Sequence, residues 1–137
     1  MSVQETVGYC LESAVKIGQE TYGKTLDFSK SSISDVDDIL EGYHVRYVHS
    51  EEDGRLIRDH VNTYACIFGI YVGEVLLREF GASYEWKDTE YGIALVKNEG
   101  NVVNPVAKAM KQIVNGKEAG DNIISFFSVA GMIMQGK

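Results

Sequence analysis

The feature that most limits what this chain can become is the stretch covering residues 50–81. Leu56, Ile57, Val61, Tyr64, Ala65, Phe68, Val72, Val75, Leu76 and Phe80 recur at steps of three and four residues, the spacing of one helix face. Ser50-Glu51-Glu52-Asp53 opens the stretch with a capping signature, and Gly81 stands where glycine ends helices. At 1.5 Å per residue the pattern predicts a helix about 40 Å long. A helix this long and this apolar has to be enclosed by the rest of the chain, so it is read as the spine of the fold.

The remaining elements group around it. Val7, Leu11, Ala14, Val15, Gly18 and Tyr22 form one stripe of a predicted helix over 3–22, closed by Gly23. Ser32 with Asp35 three places on resembles a capping box and starts a second helix, with Ile33, Val36, Ile39 and Leu40 buried and Gly42 as its end. Residues 43–49 fit a short strand or an extended connection equally well. After Gly81 the period changes: residues 84–87 and 92–97 read as a β-hairpin around the turn 88–91, with Val102-Val103 as a third short strand. Asn104-Pro105 then caps and starts a helix that Asn115-Gly116 stops, and a last helix runs from Glu118 or Asp121 to Met134. The expectation is one α+β domain over 1–137, mostly helical. It has about five helices and a small antiparallel hairpin or meander before the last two.

Composition of the 137 residues, 45% hydrophobic and 24% charged, is that of a globular chain. The charge is more telling. With 20 acidic against 13 basic side chains the net charge is -7, whereas a nucleic-acid binder would carry a basic face. Residues 1–60 hold 12 acidic and 6 basic side chains, net -6, and residues 61–137 hold 8 and 7, net -1. A field of that sign in one half repels nucleic acid and membrane and attracts a basic protein.

Motifs that would carry chemistry do not assemble. Glycine is abundant, yet neither phosphate-cradling nor dinucleotide fingerprints occur. His44, His49 and His60 lack metal-ligand spacing, and Cys10 and Cys66 sit on apolar stripes as small buried hydrophobes. No stretch reaches the length of a membrane span, and the start lacks the pattern of a signal peptide. The expectation is therefore a cytoplasmic protein that is not an enzyme and takes no cofactor or metal.

Gly69 and Gly73, four residues apart on the spine, leave a smooth strip that another backbone or a ring such as Trp86 can approach. Glu74 and Arg78, one turn apart, are read as an ion pair, because a catalytic carboxylate would need a partner group and a cleft. Leu26-Asp27-Phe28-Ser29, the helix with Val36-Asp37 and Ile39-Leu40, Gly69-Ile70-Tyr71-Val72-Gly73-Glu74-Val75, Phe80-Gly81, Trp86, Asn104-Pro105, Asn115-Gly116 and Phe126-Phe127 together resemble a group of small uncharacterised bacterial domains. The resemblance covers roughly 26–127 and implies the architecture rather than an activity. A looser resemblance is to immunity proteins of bacterial toxin systems.

The leading functional expectation is a non-enzymatic acidic binding protein, most concretely an immunity- or antitoxin-like inhibitor. It would occlude the basic active site of a toxin such as a nuclease. Asp35, Asp37, Asp38, Glu41, Tyr43, Tyr47, Glu51, Glu52 and Asp53 are the expected contact face, the carboxylates steering encounter and the tyrosines anchoring. The alternative is a ligand-binding or housekeeping role at a groove around Glu74, Arg78 and Trp86. Oligomeric state stays open.

Overall fold

The computed structural model describes residues 2–49, 55, 57–81, 83–98, 100–120 and 122–136. The fold is α+β and mostly helical: α1 (Val3–Tyr22), α2 (Ser32–His49), α3 (Val61–Phe80), a meander of β1 (Glu85–Thr89), β2 (Gly92–Asn98) and β3 (Asn101–Val103), then α4 (Pro105–Asn115) and α5 (Ile123–Met134). The sheet order is β1-β2-β3, antiparallel throughout, with Trp86 opposite Leu95 and Leu95 opposite Val103.

Helix ends follow their local chemistry. Ser2 and Glu5 form a capping box at the start of α1, and Gly23 closes it in the left-handed conformation at φ 64°. Asn104 accepts from the Ala107 N–H ahead of Pro105, and Asn122 accepts from the Ser125 N–H to start α5.

Three expectations change. α2 does not stop at Gly42 but continues through residues 43–49, which are helical and not extended. The stripe Val36, Ile39, Leu40 and Tyr43 keeps its helical period across the glycine, and burial of Tyr43 outweighs the ~1 kcal/mol that one interior glycine costs. Ser32 does not cap α2. Its hydroxyl donates to the Ser29 carbonyl at 2.6 Å and meets Tyr71 Oη at 2.7 Å.

The spine, finally, is shorter than its periodicity implies. α3 begins at Val61, giving about 30 Å over 20 residues. His60, at φ -120° and ψ 16°, separates it from the helical residues 57–59. His60, Val61, Asn62 and Thr63 are all poor helix formers, so the helix yields there although the apolar spacing runs on. The Ser50–Asp53 capping signature lies outside the described residues.

α3 is nonetheless the centre of the core: Ala65, Phe68, Ile70, Tyr71, Val72, Val75 and Leu76 are fully buried. α1, α2, α4 and α5 all pack against it. The two spine glycines each admit a close neighbour. A Cβ on Gly69 would stand 2.6 Å from Val106 Cα, and one on Gly73 would stand 2.6 Å from Trp86 Cζ2. One glycine therefore admits the backbone of α4 and the other the indole of β1, as their spacing predicts.

Candidate functional site

The expected acidic face divides into residues that fold the protein and residues that remain outside. Asp37 is buried, with Oδ1 accepting from Gln112 Nε2 at 2.8 Å. Gln112 Oε1 in turn accepts from the Ile123 N–H at 2.8 Å, so one amide ties α2 to the first residue of α5. Glu41 Oε2 accepts from the Lys117 N–H at 3.1 Å, just beyond α4. His44, one turn further along α2, meets the Ile113 carbonyl through Nδ1 at 2.9 Å. Asp37, Glu41 and His44 thus lie along one side of α2 and hold the chain where α4 ends.

Tyr43 is also internal. It stacks on Tyr64 at 4.3 Å between centroids and meets Tyr22 edge-on at 5.7 Å. Burial pushes its hydroxyl well above the ordinary tyrosine range. Asp37 and Tyr43 are therefore corrected from contact residues to core residues. Tyr47 is half-buried, with the Arg58 guanidinium over its ring at 5.5 Å. Asp35 and Asp38 both pair with Lys24, at 3.6 and 3.4 Å. Glu51, Glu52 and Asp53 lie outside the described residues. α2 turns Ser34, Asp38, Val45, Arg46, Val48 and His49 to solvent, with Asp38 61% exposed and Val45 and Val48, about two and three turns further along the same side, at 46% and 54%.

A second cluster forms where two of the quoted motifs meet. The Phe28 N–H donates to Tyr71 Oη at 2.8 Å, and since the Ser32 hydroxyl is committed to Ser29, Tyr71 donates to Ser32. Burial raises the Tyr71 hydroxyl above its ordinary range. Phe28 is a non-glycine residue at φ 64°, a strained conformation that persists only where neighbours fix it. Here they do: its ring lies 4.9 Å from that of Tyr71 and carries the Arg78 guanidinium at 4.0 Å. Arg78 Nε also reaches Glu74 Oε2 at 3.4 Å, the expected one-turn ion pair. Leu26-Asp27-Phe28-Ser29 and Gly69-x-x-x-Gly73-Glu74 are thereby joined through Phe28, Tyr71 and Arg78.

Trp86 belongs to a different place. It lines a cleft of about 390 Å³ together with Val7 and Gly8 of α1, Leu77 of α3 and Tyr84, with Gln4 and Glu85 at the edge. Glu74 and Arg78 are not among the walls of this cleft. Sequence reading missed the α1 side of this cleft. Gly8 was the available signal: a glycine inside a predicted helix, where it costs ~1 kcal/mol.

Among the described residues, no three His, Cys, Asp or Glu side chains gather as a metal ion would require, and no helix is long and apolar enough to cross a membrane. Burial pushes the Cys10 thiol up to about 11, with Cys66 nearby adding to the effect, and burial raises Cys66 as well. Comparison with protein-family models, curated proteins and solved structures finds no match to the chain.

Proposed function

We propose that the protein is a non-enzymatic binding protein that docks a basic protein on the solvent side of α2, most concretely as an immunity- or antitoxin-like inhibitor of a toxin. The observation that carries this reading is the pairing of Val45 and Val48, exposed three residues apart, with Asp38 seven residues before Val45 on the same side. An apolar centre with charge at its margin is the composition of a protein interface, and the half of the chain that holds net -6 supplies the long-range attraction. A toxin that handles phosphates presents the opposite sign, and a domain seated over such a site blocks substrate without doing chemistry.

The test is co-production with the product of a toxin-like reading frame adjacent to this gene. The protein is expected to restore growth and to bind that product in a salt-dependent manner. Val45→Asp with Val48→Asp, on exposed positions that leave the core intact, is expected to abolish protection. Absence of protection by the parent protein rejects the inhibitor reading. Protection that both substitutions leave unchanged rejects α2 as the contact.

A further inference from the structure

The cleft beside Trp86 is built in a way that packing alone does not explain. Six glycines lie inside the described helices: Gly8, Gly18, Gly42, Gly69, Gly73 and Gly131. At five of them a Cβ would meet a neighbouring atom within 4 Å, whereas at Gly8 it would meet none among the described residues. Gly8 therefore weakens α1 without letting any described residue come closer. Gly8, itself exposed, is one of the residues that line the cleft, with open space where its Cβ would stand.

The walls say what could fill that space. Val7, Leu77, Tyr84 and Trp86 present mostly apolar surface, and a volume of about 390 Å³ falls in the range of small-molecule pockets. The indole N–H of Trp86 is buried with no acceptor among the described residues, and the ring lies close against Gly73. At the edge stand two acceptors, the Gln4 amide and the Glu85 carboxylate. Glu85 is 70% exposed and its contact with Lys87 at 3.3 Å is an exposed ion pair, which is weak and readily exchanged for another cation. The net charge of -7 favours a cation over an anion at this edge.

We propose that the cleft between α1, the C-terminal end of α3 and β1 binds a small aromatic amine, with the ring against Trp86, Leu77 and Val7 and the ammonium group at Glu85 and Gln4. This site is independent of the protein-docking surface on α2.

Three probes that share one ring and differ in head group test it: 2-phenylethylamine, 2-phenylethanol and phenylacetate. Each is titrated into the full chain at neutral pH, with the emission of Trp86, the chain's single tryptophan, as the signal. The amine and the alcohol are expected to give saturable changes, the amine roughly two- to fivefold tighter, as one exposed ion pair provides. The carboxylate is expected to bind weakest. Gly8→Leu is expected to remove saturable binding of all three while melting a few degrees higher, because leucine is the better helix former, so the loss does not reflect unfolding. Glu85→Gln is expected to remove the preference for the amine and to keep the alcohol. No saturable change with any probe, or undiminished binding by Gly8→Leu, overturns the site. Binding of the alcohol as tight as the amine overturns the assigned ligand class.

Discussion

Gly69→Ala probes the packing that sets the whole architecture. The added Cβ would stand 2.6 Å from Val106 Cα, 2.8 Å from Val106 N and 2.9 Å from the Pro105 carbonyl oxygen. Ordinary contact between carbon atoms is roughly 3.5–4.0 Å, so α3 and α4 must part by about 1 Å. All three obstructing atoms are backbone, and no rotamer change relieves them. That places the cost near the upper end of overpacking, about 3 kcal/mol, offset by about 1 kcal/mol from replacing glycine within a helix. The net loss is about 2 kcal/mol, or a fall in Tm of about 7 °C for a chain of this length. Gly8→Ala is the matched control, since no described residue lies within 4 Å of its Cβ. The same change there should raise stability by about 1 kcal/mol, or about 3 °C. Urea and thermal unfolding followed by circular dichroism at the helical band measure both. If Gly69→Ala melts at or above the parent temperature, the close approach of α3 and α4 is wrong.

Other consequences follow from the buried polar groups. Gln112→Leu keeps the volume but leaves the Asp37 carboxylate and the Ile123 N–H without their bonds, a loss of about 2–4 kcal/mol readable as a lower urea midpoint at unchanged slope. Tyr71→Phe strips the acceptor from the strained Phe28 N–H and the donor to Ser32. Unfolding should then be easier by about 1–3 kcal/mol, and unchanged stability would mean that those contacts do not hold the loop. At pH 8 Cys10 should alkylate about a hundredfold more slowly than an unfolded-chain thiol, because so little of it is thiolate, and mass spectrometry of iodoacetamide-treated native protein gives the rate. The same raised value makes stability alkali-sensitive. The fold favours the neutral thiol, so its contribution is complete below the unfolded value of 9.0 and is lost as pH rises toward 11, by about 2–3 kcal/mol. Tyr43 and Tyr71 act in the same direction above their ordinary value of 10.0, and a stability flat from pH 8 to pH 11 would contradict all three.

Much of the fold was legible wherever one residue type has a single physical use. Gly23, Asn104-Pro105 and the pair Gly69 and Gly73 state where a helix ends, begins or is approached, and the structure places them so. Periodicity was less decisive in both directions. It continued across Gly42, where the helix also continues, and across His60, where the helix breaks. Spacing records which side chains face inward but not whether the backbone between them stays helical. The cleft was illegible for another reason: Val7, Leu77 and Trp86 are brought together by tertiary packing of α1 against α3 and β1, which no local pattern encodes.

Charge misled most instructively at Asp37. As an aspartate in an acidic run it reads as surface, yet it follows Ile33 by four residues and precedes Leu40 by three, which puts it on the buried stripe of α2. Position outweighed residue type, and Gln112 is the compensation that makes the burial tolerable. Part of the acidity of the first half thus serves folding: Asp37 and Glu41 hold the segment between α4 and α5, while Asp35 and Asp38 share Lys24. That division sharpens the binding proposal into one with separable terms. Exposed carboxylates govern encounter, and desolvated apolar contacts govern residence. Reversing Asp35 and Asp38 to lysine should therefore slow association with a basic partner and flatten its salt dependence, leaving dissociation nearly unchanged. Replacing Val45 and Val48 by aspartate should do the opposite, speeding dissociation while association stays fast. Equal effects of the two pairs on both rates would show that the carboxylates and the exposed valines of α2 do not have these separate roles.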